Sequence, residues 1–99
     1  MPEVLEITSF KLAGRTAEEF TDANRAVDAF LRRQPGFLWR RITQNEDGTI
    51  IDIVAFADSD QAQASARGIT TELGHSPAHG MIDHAAVDWM IVPVLQHTR

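Results

Sequence analysis

The sequence predicts an α+β protein with the ferredoxin-like order β-α-β-β-α-β, in which both helices lie on one side of an antiparallel sheet. Three observations lead to this prediction: four segments with strand patterns, two helical stripes that separate them, and a length of 99 residues. A chain of this size forms one domain, which we place over residues 1–99.

Composition excludes several classes of function. The chain is 43% hydrophobic and 23% charged, which argues against disorder, and its net charge of −5 with Lys11 as the single lysine argues against nucleic-acid binding. The absence of cysteine excludes disulfides, thiol nucleophiles and thiolate metal sites. No apolar run approaches the 18 or so residues of a membrane span, and the N-terminus MPEVLEIT does not resemble a signal peptide. We therefore expect a cytoplasmic protein that binds neither nucleic acid nor membrane.

The first two elements are a strand and a helix. Alternation predicts a strand over Val4–Leu12. Thr16 and Glu19 form a capping-box pattern, in which each side chain satisfies a backbone N–H at the start of a helix. An apolar stripe continues this helix without interruption to Arg33, and Pro35-Gly36 ends it.

The segments Phe37–Gln44 and Ile50–Ala57 form a predicted hairpin. Asp47-Gly48 between them is a strong turn signal because both residue types tolerate positive φ. With these two residues at the centre of the turn, Ile42 faces Ile53 and Trp39 faces Phe56. A slip of one residue would place Ile42 opposite Asp52, so we favour the first register.

A second helix begins at Asp58 and ends at Gly74, with a thin, alanine-rich apolar stripe that predicts close packing on the sheet. Ser76-Pro77 then predicts a short helical turn. A last strand covers Ala86–Leu95, and Pro93 places it at an edge of the sheet because proline cannot donate a ladder hydrogen bond.

The favoured register predicts which side chains share a face. The helix-covered face carries Leu5, Ile7, Ile42, Ile51, Ile53 and Ala55, and the open face carries Val4, Glu6, Thr8, Phe10, Trp39, Arg41, Asp52, Val54 and Phe56. Monomers rarely expose so large an apolar patch, so we expect a second copy to cover it as a homodimer.

Glu6, Arg41 and Asp52 form a charged group on that predicted open face. We interpret it as an ion-pair network in the dimer interface, in which Arg41 compensates the two carboxylates. The alternative is a polar site inside a barrel.

His75 and His79 are the candidate catalytic residues. Their spacing would place both imidazoles on one helical face, where they could hold a metal with Asp83 or His84. We favour solvated histidines in the loop, with no metal site. The functional alternative is that His79 acts as a general base or hydrogen-bond partner at the mouth of a pocket between the helices and the sheet. Trp39 and Trp89 are predicted to pack in the core or interface, or to line a pocket for an aromatic substrate.

The stretches Pro35-Gly36-Phe37-Leu38-Trp39-Arg40-Arg41, Asp47-Gly48 and Ile51–Asp58, with an alanine-rich helix and a histidine-containing turn, resemble the antibiotic biosynthesis monooxygenase-like (ABM) family. This resemblance implies a dimeric α+β barrel. Some members of the family oxidise polyphenols or quinone precursors without a cofactor, and others degrade heme.

The heme-degrading branch uses an asparagine on the first strand, a tryptophan in the second helix and a histidine about ten residues later. Here Thr8 is the nearest polar residue on the first strand, Ile69 stands at the tryptophan position, and His79 stands at the histidine position. One element of three matches, so we expect neither heme breakdown nor another cofactor.

Two functions follow from the resemblance. The first is a cofactor-independent monooxygenase that acts on a hydroxylated aromatic compound, with Thr8, Trp39 and Phe56 as substrate-binding residues beside His79 and His75. The alternative is a non-catalytic ligand-binding or stress-associated dimeric barrel protein.

Overall fold

The computed structural model describes residues 2–99. Its strands form one antiparallel sheet in the order β2-β3-β1-β4, with the helices against one face, which confirms the predicted ferredoxin-like arrangement. The elements are β1 (Val4–Leu12), α1 (Ala17–Asp22), α2 (Arg25–Arg32), β2 (Phe37–Gln44), β3 (Ile50–Phe56), α3 (Ser59–Leu73), α4 (Pro77–Gly80) and β4 (Ile82–Pro93).

The first helix is divided in two, although the sequence predicts one continuous helix. The predicted capping box at Thr16 and Glu19 is present and begins α1. The division lies at Asn24, whose side-chain amide donates to the carbonyl of Phe20 at 2.7 Å, while its backbone N–H donates to Thr21 instead. The buried amide thus takes the acceptor that a continuous helix would use, and α2 starts after it.

The register of the hairpin differs by one residue from the predicted one. Its turn contains three residues, because Asn45 N–H donates to the carbonyl of Thr49 and Gly48 adopts a φ of +89°. Asn45 Oδ1 accepts from the backbone of Asp47 and Thr49, which stabilises this longer turn. Ile42 consequently faces Asp52.

This register also shows that the predicted faces of β1 and β3 are reversed. The helices cover Val4, Glu6, Thr8, Phe10, Asp52, Val54 and Phe56. The open face carries Leu5, Ile7, Ile51, Ile53 and Ala55, together with Trp39 and Arg41 of β2 and Met90 and Val92 of β4. The open face is therefore apolar as predicted and carries the predicted Trp39 and Arg41, but its β1 and β3 residues differ from the predicted ones.

The second helix packs close to the sheet, as its small residues predict. Ala62 and Ser65 are completely buried, and α3 continues through Gly68 without interruption. A Cβ at Gly68 would lie 2.6 Å from Cζ of Phe30, so the glycine allows α2 and α3 to approach each other. The last strand begins at Ile82, four residues earlier than predicted, and it occupies an edge of the sheet as Pro93 requires. Within residues 2–99, none of the helices is long and apolar enough to cross a membrane.

The positive φ of Gly48 gives a direct test of the backbone conformation of the turn. Gly48→Ala should lower the free energy of unfolding by about 1–2 kcal/mol, because alanine is strained at positive φ. No atom lies within 4 Å of the added Cβ, so the loss would be conformational rather than steric. Gly80→Ala is the matched control, since Gly80 also has open space around it but no positive φ. Urea unfolding of both variants measures the difference, and equal stabilities would contradict the assigned turn.

Candidate functional site

A cavity of about 670 Å³ lies between the helix-covered face of the sheet and the helices. Its walls are largely apolar, and polar side chains of β1, β2, β3 and β4 form its floor. A volume of this size suits a small organic ligand. The apolar lining consists of Phe10, Phe20, Val27, Leu31, Val54, Ala66, Ile69, Ala78, Ile82 and Val87.

Arg40 is the central charged residue of the floor. Its guanidinium donates to both carboxylate oxygens of Asp52, with Nε–Oδ1 at 3.0 Å and Nη2–Oδ2 at 2.7 Å. Its Nη1 donates to Oδ1 of Asp28 at 2.8 Å. The Arg40 side chain is 9% exposed and that of Asp52 is 14% exposed. Arg40 of β2 therefore connects β3, through Asp52, with α2, through Asp28.

The predicted role of Arg41 is wrong. Arg41 lies on the open face, where its Cζ is 4.7 Å from the centroid of the Trp39 ring. The sheet separates it from Glu6 and Asp52, which lie on the helix-covered face. The true register moves the arginine partner of Asp52 by one position, to Arg40, and places the charged group inside the cavity rather than on the open face.

Glu6 and Trp89 form a second polar contact on the floor. Trp89 Nε1 donates to Glu6 Oε2 at 2.7 Å, and the Glu6 residue is 7% exposed. Burial raises the pKa of Glu6, the Trp89 hydrogen bond opposes that rise, and the charges of Asp52 and Arg40 act in opposite directions. A buried carboxyl thus faces a ligand-sized space.

His79 of α4 lines the cavity. Its Nδ1 lies 2.9 Å from Oγ of Ser76, and its carbonyl accepts a hydrogen bond from His84 Nε2. Burial lowers the pKa of His79, and the positive charges of His84 and Arg40 lower it further. The neutral imidazole, which can accept a proton, is therefore favoured.

The remaining predicted site residues divide into two groups. Thr8 lines the cavity. Trp39 lies on the open face, and Phe56 is fully buried and stacks edge-on against Phe37, so neither borders the cavity. His75 is exposed and is also outside the lining. Within residues 2–99 no group of three or more histidine, cysteine, aspartate or glutamate side chains is arranged to hold a metal ion.

Five polar residues of the cavity were not predicted from the sequence: Arg40, Asn24, and Arg67, Thr70 and Thr71 of α3. Trp89, for which lining a pocket is one of the two predicted roles, does border the cavity. Arg40 could have been found by asking which register gives buried Asp52 a cationic partner on its own face. Trp89 follows from the antiparallel pairing of β1 and β4, in which it faces Thr8. Asn24 carried no comparable signal, because a helical asparagine is usually exposed.

Arg40→Met tests the central contact of the floor. The variant should lose about 3 kcal/mol or more of unfolding free energy, because Asp52 would remain mostly buried without its partner. Arg32→Met is the matched control: Arg32 is exposed on the neighbouring helix and should change stability by less than about 1 kcal/mol. Urea unfolding compares the two, and similar small losses would show that the ion pair contributes little.

Comparison with known proteins gives a clear result only at the level of the fold. No protein-family model and no curated protein matches the chain. Among solved structures, SnoaB, a cofactor-independent oxygenase from Streptomyces nogalater, is similar at 19% identity and a TM-score of 0.75, over 98% of this chain and 97% of SnoaB.

Two further structures show the same likeness. A candidate antibiotic biosynthesis monooxygenase from Nitrosomonas europaea has 17% identity and a TM-score of 0.74, over 98% of this chain and 94% of its own. The heme-degrader MhuD from Mycobacterium tuberculosis, with two hemes bound, has 16% identity and a TM-score of 0.75, over 97% and 99%. The chain therefore has the fold of the ABM-like monooxygenases over nearly its whole length, which confirms the resemblance in fold that the sequence indicates.

Proposed function

We propose that this protein is a cofactor-independent monooxygenase that acts on a hydroxylated aromatic compound. One observation carries the proposal: a mostly apolar cavity large enough for fused aromatic rings contains a histidine that favours its neutral form. The apolar walls would hold the rings and exclude water. His79 would accept the proton that activates the substrate.

The reaction we infer needs only the substrate and dioxygen. His79 removes a proton from the activated ring carbon or its hydroxyl, and the electron pair stays on the substrate as an anion. That anion is a reductant that can pass electrons to dioxygen and form a C–O bond. Converting a ring CH₂ to C=O in this way consumes one O₂ and releases one H₂O, with the proton returned from His79 to the leaving oxygen.

SnoaB supports this proposal because its fold is the same and its activity needs no cofactor. MhuD has the same fold and degrades heme, so the fold alone does not decide between these reactions. The residues favour oxygenation without a cofactor over heme degradation. Of the heme-degrading pattern this chain retains His79, whereas Thr8 and Ile69 replace the asparagine and the tryptophan.

Oxygen uptake tests the proposal. We expect the protein to consume dioxygen with 1,8-dihydroxyanthrone or a related anthrone or quinol, and His79→Gln to lower kcat/KM about 100-fold or more, because a general base is lost. His75→Gln is the matched control and should retain full activity, since His75 lies outside the cavity. Compounds that raise the melting temperature but are not consumed would instead favour the non-catalytic ligand-binding protein.

The pH dependence of turnover follows from the same histidine. His79 must be unprotonated to act as a base, and burial and neighbouring positive charge lower its pKa below the ordinary 6.5. Activity should therefore be complete at neutral pH and fall only as the pH drops through that lowered value. A pH profile of kcat/KM measures the acidic limb. A limb that is unchanged in His79→Gln would show that another group supplies the base.

We further propose that the protein is a homodimer in which the open face meets its copy. Leu5, Ile7, Ile51 and Ile53 occupy the two central strands of this face. Met90 beside them is 48% exposed. Covering such a surface removes a large apolar area from water. We also predict that the cavity binds a small aromatic ligand and that the protein is located in the cytoplasm.

Ile53→Lys tests the dimer. A lysine at the centre of the open face would have to be buried without a partner, so we expect a monomer at micromolar concentration. Ala64→Lys, which adds the same charge on an exposed position of α3, should leave the assembly unchanged. Sedimentation velocity compares both with the unmodified chain. A monomeric unmodified chain would overturn the proposal.

A further inference from the structure

Glu6 is the one carboxyl of the cavity floor that lacks an ion-pair partner among residues 2–99. It lies in the central strand β1 and is flanked by Val54 of β3 and Ile91 of β4. Asp52, the other carboxyl of the floor, is bound on both oxygens by Arg40. A carboxyl that is 7% exposed and borders this cavity must form its remaining hydrogen bonds with what the cavity contains.

The two oxygens of Glu6 are not equivalent. Oε2 accepts the 2.7 Å hydrogen bond from Trp89 Nε1, which fixes the orientation of the carboxyl across β1 and β4. Oε1 accepts no hydrogen bond from the described residues, although Glu6 borders the cavity. The carboxyl therefore has one occupied acceptor and one acceptor available to a donor in the cavity.

The charged groups that border the cavity with Glu6 come from β2, β3, α3 and α4. Asp52 of β3 and Arg40 of β2 are the floor pair, and Asp28 of α2 binds the remaining side of Arg40. Arg67 of α3 and His79 of α4 also border the cavity. Arg40 directs its Nε, Nη1 and Nη2 atoms to the two aspartates, so it does not pair with Glu6.

We propose that Oε1 of Glu6 binds the hydroxyl of a phenolic ligand, and that Trp89 is the positioning residue that holds the carboxyl for this contact. This inference rests on the substrate class of the proposed function and adds the group that recognises it. The hydroxyl donates to the carboxylate, no bond to carbon changes, and the aromatic ring lies against the apolar walls. A neutral donor suits the site better than a cation, because Arg40 and Arg67 line the same cavity.

The contact makes ligand binding depend on pH. The hydroxyl needs an ionised carboxylate as its acceptor, and burial raises the pKa of Glu6 above the ordinary 4.5. Affinity for a phenol should therefore be highest at neutral pH and fall as the pH drops through that raised value. The affinity for a ligand without a hydroxyl should not follow this curve.

The experiment compares two probes, 1-naphthol and 1-methoxynaphthalene, which differ in a single donor. We expect Glu6→Gln to weaken 1-naphthol binding about 10- to 100-fold, the range of a hydrogen bond to a charged group, and to leave 1-methoxynaphthalene unchanged. Glu46→Gln, in the exposed hairpin turn, is the matched control. Calorimetry at neutral pH gives the affinities of both probes for each variant.

Two further measurements separate recognition from a structural role. Trp39→Phe leaves Trp89 as the single tryptophan, so its emission should change as Glu6 titrates and as 1-naphthol binds. The same change should be lost in Trp39→Phe combined with Glu6→Gln. The second measurement uses His79→Gln as the single substitution. Its affinity for 1-naphthol should still decrease as the pH is lowered, which tests the proposal without a change at Glu6.

Equal weakening of both probes in Glu6→Gln would overturn the inference, because the loss would then come from the cavity's shape. So would failure of 1-naphthol to bind, or an affinity that does not change with pH in His79→Gln. Oxygen uptake distinguishes the two proposals. If 1-naphthol binding depends on Glu6 but no oxygen is consumed, the monooxygenase is rejected and the phenol site is kept. If oxygen is consumed equally well by Glu6→Gln, the monooxygenase is kept and the phenol site is rejected.

Discussion

The bidentate contact between Arg40 and Asp52 is the interaction on which most of the site depends. A carboxylate on the helix-covered face of a sheet is costly unless a cation satisfies both of its oxygens. Arg40 does so from the adjacent strand and also reaches Asp28 on α2. Arg40 therefore supports the register of the hairpin through Asp52, joins the sheet to the helix layer through Asp28, and gives an apolar cavity a charged floor.

The features that depend on local spacing were predicted correctly from the sequence, and the register of the hairpin was not. The order of the elements, the capping box at Thr16 and the edge position of Pro93 depend on local spacing, and all were predicted. The hairpin register depends on one extra residue in a turn, where Asn45 binds the backbone in a way that the Asp47-Gly48 pair does not reveal. Because strand side chains alternate, that single residue reversed the predicted faces.

Only part of the candidate site was predicted, because some of its residues depend on the hairpin register and on the pairing of strands. His79 and Thr8 border the cavity because their positions follow from the order of the elements. Glu6 and Asp52 were recognised as a charged group but assigned to the wrong side of the sheet. The Arg40–Asp52 contact depends on the register of the hairpin, and the Trp89–Glu6 contact depends on the pairing of β1 with β4, which are distant in sequence. A pattern along one strand shows neither contact.

The position of Trp89 on an edge strand has a consequence for motion. β4 has a hydrogen-bonded neighbour on one side only, so its amide protons should exchange with solvent sooner than those of β1 and β3, which are held on both sides. The Trp89 residue is 52% exposed, and the hydrogen bond from its indole to Glu6 links this outer strand to the centre of the sheet. Brief fraying of β4 would widen the cavity without disturbing the inner strands, and it provides a route by which bulky rings could enter.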